Sequence, residues 1–202
     1  MKIYLLRHGE TGINAIGGRF QGQINTPGAA LTEKGRKQAR EAGEEFHRMA
    51  LCFDRVYTSP QDRAIETATL ATGLSSDRLI RDDRLKEINF GPFEGQKWET
   101  MNPGTFHAMM YDFGNYVPGP GMESGIGLIT RVSSFLEDLK QHKPAERILV
   151  STHGGVIRAA LVHIHADPLT TFWQNPVGNC AWFEITCEKD RFTLTRCDRK
   201  ES

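Results

Sequence analysis

One short pattern occurs at two places in the chain: an apolar run, a histidine, a glycine and then a helix start. Ile3 to Leu6 leads into Arg7-His8-Gly9, and Arg147 to Ser151 leads into Thr152-His153-Gly154-Gly155. Apolar runs this short, rich in β-branched residues, read as buried strands. A strand that passes through a turn into a helix is the building unit of α/β proteins. Glycine allows a tight turn with close backbone approach to a ligand, and in such folds ligands collect at the carboxyl ends of strands. Both histidines therefore fall where a site is expected. Beside His8, the Arg7 guanidinium suits a phosphate, which it can bind bidentately while a neutral imidazole nitrogen attacks it.

The rest of the chain fills in the alternation. Thr11 to about Ala15 reads as a helix start carrying Asn14, and the polar, glycine-rich stretch from Gly17 to Ala30 holds Arg19, Gln21 and Asn25. Thr32 is an N-cap candidate for a helix running to about Ala50, with Ala39, Ala42, Phe46 and Met49 at helical spacing. Asp54 to Thr58 reads as a second strand, and Ser59-Pro60-Gln61-Asp62 as N-cap, N1 proline and acidic first turn. Arg63 lies in that first turn, where a cation opposes the helix dipole by about 0.3–1 kcal/mol and a bound anion offsets the cost. Arg78 to Leu85 reads as a third strand. Glu87 follows it between apolar Leu85 and Ile88, where partial burial favours a retained proton.

Residues 96–122 form an irregular insertion rich in aromatics and methionine, some to pack on the body and some to roof a pocket. Ser124 is the cap expected for a helix with Ile126, Ile129, Val132, Leu136 and Leu139 on one face. Backbone N–H groups around Gly154, at the start of a helix to about His165, face an anion. Two strand-like runs, Cys180 to Cys187 and Phe192 to Cys197, close the chain as a hairpin. Alternating strands and helices imply a mostly parallel sheet covered on both faces. No linker divides the 202 residues, so a single domain over 1–202 is expected.

Charge narrows the function classes. Lys+Arg and Asp+Glu are 25 each, so neither nucleic acid nor an acidic membrane is called for as a partner. Any positive field must be local. Cys52, Cys180, Cys187 and Cys197 show no metal-ligand spacing and read as buried free thiols. His163 and His165 read as a helix end, where cations are favourable. No His/Cys/Asp/Glu set has ligand spacing, so neither metal nor cofactor is expected. The N-terminal apolar run is too short for a signal peptide, and no stretch is long enough to span a membrane, which makes the cytoplasm the expected compartment.

Arg7 with His8, Arg63 and His153 stand at three strand ends, and Glu87 follows a fourth. With them come Leu6-Arg7-His8-Gly9-Glu10-Thr11, Asn14, Arg19 with Gln21-Gly22, Leu31-Thr32, Ser59-Pro60 with Arg63-Ala64, Glu87-Ile88 with Phe90-Gly91, Glu94-Gly95, Glu123-Ser124 and His153-Gly154-Gly155. In this order the set resembles the histidine phosphatase superfamily, in the branch of cofactor-dependent phosphoglycerate mutases, fructose-2,6-bisphosphatases and α-ribazole phosphatases. The resemblance spans nearly the whole chain.

The resemblance implies a three-layer α/β/α sandwich with a mostly parallel mixed central sheet. It also implies a metal-free phosphomonoesterase acting on a small phosphorylated metabolite, with α-ribazole 5'-phosphate a candidate. His8 would be the nucleophile and Glu87 the general acid. Arg7, Arg63, His153 and Gly154 would hold the phosphoryl group, Asn14 would support that pocket, and Arg19 and Gln21 would lie at the substrate mouth. Ile13 replaces the tryptophan common before the asparagine, and Gly28-Ala29-Ala30 is inserted before Leu31-Thr32. The stretch Glu87-Ile88-Asn89-Phe90-Gly91 lacks the mutase pattern, so hydrolysis is expected over phosphoglycerate mutase activity. A non-catalytic phospholigand-binding module is the alternative of another class.

Overall fold

The structure, a computed structural model, describes residues 1–198. Six strands form one sheet: β1 (Lys2–Arg7), β2 (Arg55–Thr58), β3 (Ile80–Arg81), β4 (Arg147–Thr152), β5 (Trp182–Glu188) and β6 (Arg191–Asp198), in the order β3-β2-β4-β1-β5-β6. The first four are parallel to one another, and the β5–β6 hairpin joins the β1 edge antiparallel. The sheet is thus mixed and mostly parallel, as expected.

The described residues include six α-helices, α1 (Gly12–Ile16), α2 (Glu33–Arg48), α3 (Asp62–Thr72), α4 (Pro103–Tyr111), α5 (Gly125–His142) and α6 (Gly154–His165), of which α2 and α3 pack on one face of the sheet and α5 and α6 on the other. Strand side chains alternate between faces, and β1 shows the division. Tyr4 and Leu6 pack with Ala39, Ala42 and Phe46 of α2 and with Ala68 and Ala71 of α3. Ile3 and Leu5 pack on the other face with Val132 and Leu136 of α5 and with Ile157 and Leu161 of α6. Burying each large apolar side chain of this kind contributes roughly 1.5–3 kcal/mol. Two cores, one on each face, hold the sheet between its helical layers.

Several local expectations change. The expected third strand shrinks to Ile80–Arg81 between 3₁₀ turns Ser76–Arg78 and Asp83–Leu85. The Asp82 side chain accepts from Arg84 N at 2.8 Å, which bends the backbone out of the sheet. Ser59 does not cap α3, whose N-cap is Gln61. The 96–122 insertion is not wholly irregular, because Asn102 caps α4 and Pro103 stands at its first position. Ser124 does cap α5, yet Ile126 is exposed, and Leu128 and Phe135 join the buried stripe instead. Met49 lies just past the end of α2. None of the four cysteines is in a disulfide, but only Cys180 and Cys187 are buried, since Cys52 and Cys197 fall outside the packed faces.

Candidate active site

The carboxyl ends of β1, β2 and β4 are neighbours in the sheet, and this brings together residues far apart in sequence. His8 follows β1 and is 2% exposed. Its Nδ1 lies 2.7 Å from Gly9 O, so that nitrogen donates to the carbonyl and Nε2 keeps a free lone pair. Gly9 serves packing more than ligand approach: a Cβ there would stand 2.3 Å from Gly35 O in α2. The Gly9 N–H donates to Thr67 Oγ1 at 3.1 Å, tying the turn to α3.

His153 follows β4 and is the N-cap of α6. Its ring centroid is 5.2 Å from that of His8, and its Nε2 is 2.8 Å from Ser59 Oγ. Ser59 has thus traded a helix cap for a histidine contact. His153 Nδ1 is buried without a protein partner among the described residues. Burial, reinforced first by the Arg63 charge, holds the pKa of both imidazoles well below 6.5. Both rings are neutral at pH 7.

Two arginines flank the pair. Arg63, 1% exposed, donates from Nη2 to Gly22 O at 2.6 Å and from Nη1 to Ile24 O at 3.1 Å. Arg7 donates from Nη1 to Val177 O at 2.6 Å. The Nε atoms of both arginines are buried with no protein acceptor among the described residues. Burial lowers the Arg63 pKa to about 10 and lowers that of Arg7 as well. Cations held this way, with donors unspent, suit an anion with several oxygens.

Glu87 does not follow a strand directly, because the 3₁₀ turn Asp83–Leu85 intervenes. Instead it is positioned across the molecule. Its Oε1 accepts from Ile88 N at 2.9 Å and from Gly155 N, in the first turn of α6, at 3.1 Å. Its own N–H donates to Gln61 Oε1 at 2.8 Å, and its carbonyl accepts from Gln23 Nε2 at 2.8 Å and Arg131 Nη2 at 3.2 Å. The other carboxylates are engaged elsewhere. Glu10 pairs with Lys34 at 2.7 Å, which lowers its pKa, and Glu123 pairs with Arg131 at 2.6 Å. Glu94 accepts from Gln23 N at 2.8 Å and does not line the cavity.

The cavity over these groups is ≈ 350 Å³. Arg7, His8, Glu87 and Gly154 line its floor together with Asn14, Arg19 and Gln21, while Arg63 and His153 lie behind that surface. Asn14 donates to Gln21 Oε1 at 3.1 Å and completes a capping box with Thr11. Arg19 donates to Gly95 O at 2.8 Å. Trp98, Phe106, Met109 and Met110 of the insertion form part of the wall.

Three contributors escaped the sequence reading. Arg158 and Trp173 line the cavity, and Asn179 Nδ2 donates to Asn14 Oδ1 at 3.2 Å and to His8 O at 3.3 Å. Arg158 stands one turn after Gly154, a spacing that turns both toward one face of α6. Among the described residues no group of three His, Cys, Asp or Glu side chains has the geometry to hold a metal ion, and no helix is long and apolar enough to cross a membrane.

A neutral imidazole with a free nitrogen, unspent guanidinium donors, a helix N-terminus and one carboxylate can together bind and transfer a phosphoryl group. Comparison with known proteins agrees. The sequence model of the histidine phosphatase superfamily (branch 1) matches residues 3–199. Putative phosphoserine phosphatase 2 of Hydrogenobacter thermophilus is 32% identical over 195 residues, covering 96% of this chain and 93% of the relative. The adenosylcobalamin/alpha-ribazole phosphatase of Escherichia coli is 29% identical over 200 residues, covering 96% and 94%. The solved structure of Bacillus stearothermophilus YhfR superposes with a TM-score of 0.85 at 29% identity, covering 96% of this chain and 94% of that one. The chain belongs to the histidine phosphatase superfamily, branch 1, and is a phosphatase.

Proposed function

We propose that this phosphatase is a metal-independent phosphomonoesterase, hydrolysing a small phosphorylated metabolite through a phosphohistidine on His8. The observation that carries the reading is the 2.7 Å contact of His8 Nδ1 with Gly9 O: a carbonyl can only accept, so Nδ1 holds the proton and Nε2 is left as a nucleophile. The phosphoryl oxygens take the Nε donors of Arg7 and Arg63, a neutral His153 and the α6 N-terminus near Gly154. His8 Nε2 attacks phosphorus while the ester P–O bond breaks, and Glu87 gives its proton to the departing alkoxide. Water then attacks the phosphohistidine, its proton passes to Glu87, and the P–N bond breaks to release phosphate. Each strongly oriented cation at about 4 Å contributes roughly 4 kcal/mol per unit charge at an effective dielectric near 20. The chain's own charges can therefore do what a metal does elsewhere.

Relatives named for phosphoserine and for α-ribazole phosphate both support small monoesters. The aromatic wall of Trp98, Phe106 and Trp173 also accommodates a flat base, which keeps α-ribazole 5'-phosphate among the candidates. The test is release of orthophosphate from p-nitrophenyl phosphate, phosphoserine, 3-phosphoglycerate and α-ribazole 5'-phosphate, compared by kcat/KM. Conversion of 3-phosphoglycerate to its isomer without orthophosphate would make the chain a mutase. Binding of these esters with no turnover of any would leave a phospholigand-binding module.

A further inference from the structure

Arg158 has no part in the chemistry just described, yet it occupies the cavity wall. Its Nε donates to Asn175 O at 2.9 Å, and its guanidinium carbon lies 5.4 Å from the centroid of the Trp173 ring. Those two contacts hold the fork in one plane. Among the described residues, Nη1 and Nη2 have no protein acceptor. A Cβ built on Gly154 would stand 3.0 Å from Arg158 Nη1 and 3.6 Å from Arg7 Nε, so two guanidiniums share one glycine. Like charges held this close repel, and Arg7 joins burial in lowering the Arg158 pKa to about 10.

The charge around the cavity is lopsided. Arg7, Arg19 and Arg158 line it with Arg63 directly behind, and Glu87 is the one acidic residue among its lining residues. A phosphoryl dianion offsets Arg7 and Arg63. Glu87 is the one acidic charge in the lining that acts on Arg158, and it is shared with Arg7 and Arg63. Arg158 makes no ion pair of its own among the described residues, and it keeps two free donors and an aromatic backing beside Trp173.

We propose that Arg158 is a specificity-determining residue that binds a carboxylate carried by the same small molecule as the phosphoryl group. The proposal rests on the phosphatase reading above and deepens it: the substrate class is a phosphorylated carboxylic acid. A planar fork with two free N–H groups matches a carboxylate bidentately. Esters whose sole anion is the phosphoryl group, α-ribazole 5'-phosphate included, leave that fork unpaired.

The experiment compares phosphoserine with phosphoethanolamine, which is the same ester without the carboxylate, and 2-phosphoglycolate with ethyl phosphate. Wild-type kcat/KM is expected to favour the carboxylated member of each pair by about 10- to 100-fold, the worth of one charge-assisted hydrogen-bonded pair. Arg158→Met should collapse that ratio, chiefly through KM, with Arg158→Lys restoring part of it. Taking the ratio cancels any loss common to both members, including loss from altered folding. As a check without variants, phosphonoacetate should inhibit wild-type hydrolysis of p-nitrophenyl phosphate more tightly than methylphosphonate. A wild type indifferent to the carboxylate, or a ratio unmoved by Arg158→Met, overturns the proposal while leaving the phosphatase reading intact. No turnover of p-nitrophenyl phosphate by the wild type would overturn both.

Discussion

Gly155 N lies 3.1 Å from Glu87 Oε1, and a Cβ on Gly155 would stand 2.3 Å from that same oxygen. The helix that offers its N-terminus to the cavity thus also seats the one carboxylate in it, and only glycine fits the contact. Gly155→Ala should push the Glu87 carboxylate aside, since Ile88 Cδ1 at 2.8 Å closes the other exit. A displaced general acid costs most where the leaving group most needs a proton. Hydrolysis of alkyl phosphates should fall by about 10²-fold, whereas p-nitrophenyl phosphate, whose leaving group departs unassisted, should be far less affected. Glu87→Gln should show the same contrast in single-turnover measurements. Equal slowing of both substrate types by Glu87→Gln would move the acid role elsewhere.

His8→Ala should remain folded yet turn over almost no substrate, because water has neither the position nor the covalent route. Rapid quenching of the wild type with labelled substrate should trap an acid-labile, base-stable adduct on His8. An adduct mapped to His153 would exchange the two roles. Their ring centroids are only 5.2 Å apart, so the mapping is decisive.

Prolonged chelation should leave kcat/KM unchanged. The charge stabilisation is assigned to Arg7, Arg63 and the α6 N-terminus, none of which needs an ion. Arg63→Met should by contrast cost about 10²- to 10³-fold, the scale seen when one oxyanion donor is removed. Activity lost on chelation and restored by zinc or magnesium would show that a metal carries part of that charge.

How much of this site could be read from the chain depends on how locally each residue is specified. Arg7, His8 and His153 were legible because a strand, a glycine and a helix start lie within a few residues of each, and strand ends are where α/β folds place ligands. Arg63 was legible as a misplaced cation in a helix first turn. Arg158 was not. On an apolar helix a single arginine reads as a solvent-facing residue, and what holds it inward, Trp173 and the Asn175 carbonyl, comes from a later segment. Asn179 escaped for the same reason. In the fold, β3 was overread because Asp82 bends the backbone through a side-chain contact that hydrophobic pattern does not report. α4 was missed because its apolar residues show no single face, although Asn102-Pro103 is a recognisable cap and first position.

The paired histidines also tie stability to pH. His8 and His153 are 2% and 0% exposed, and burial, with Arg63 next, depresses both folded-state pKa values well below 6.5. As pH falls through about 6.5, the unfolded chain takes up protons on these residues while the native state does not, so the unfolded state binds more protons and is favoured. The contribution of the pair is therefore fully present above pH 6.5 and is lost progressively below it, at up to about 1.4 kcal/mol per pH unit for each ring. Carboxylates held low by partners, Glu10 and Glu184 among them, start from 4.5 and act at lower pH, so the windows separate. Urea titrations at half-unit steps should show the decline, with His153→Gln and His8→Gln each removing about half of it. The same depression keeps His8 Nε2 unprotonated, so the acid limb of kcat/KM should fall below pH 6.5. A wild-type unfolding free energy that is flat from pH 7 to 5, or an acid limb above 6.5, would mean that one of the two rings carries a proton in the native site.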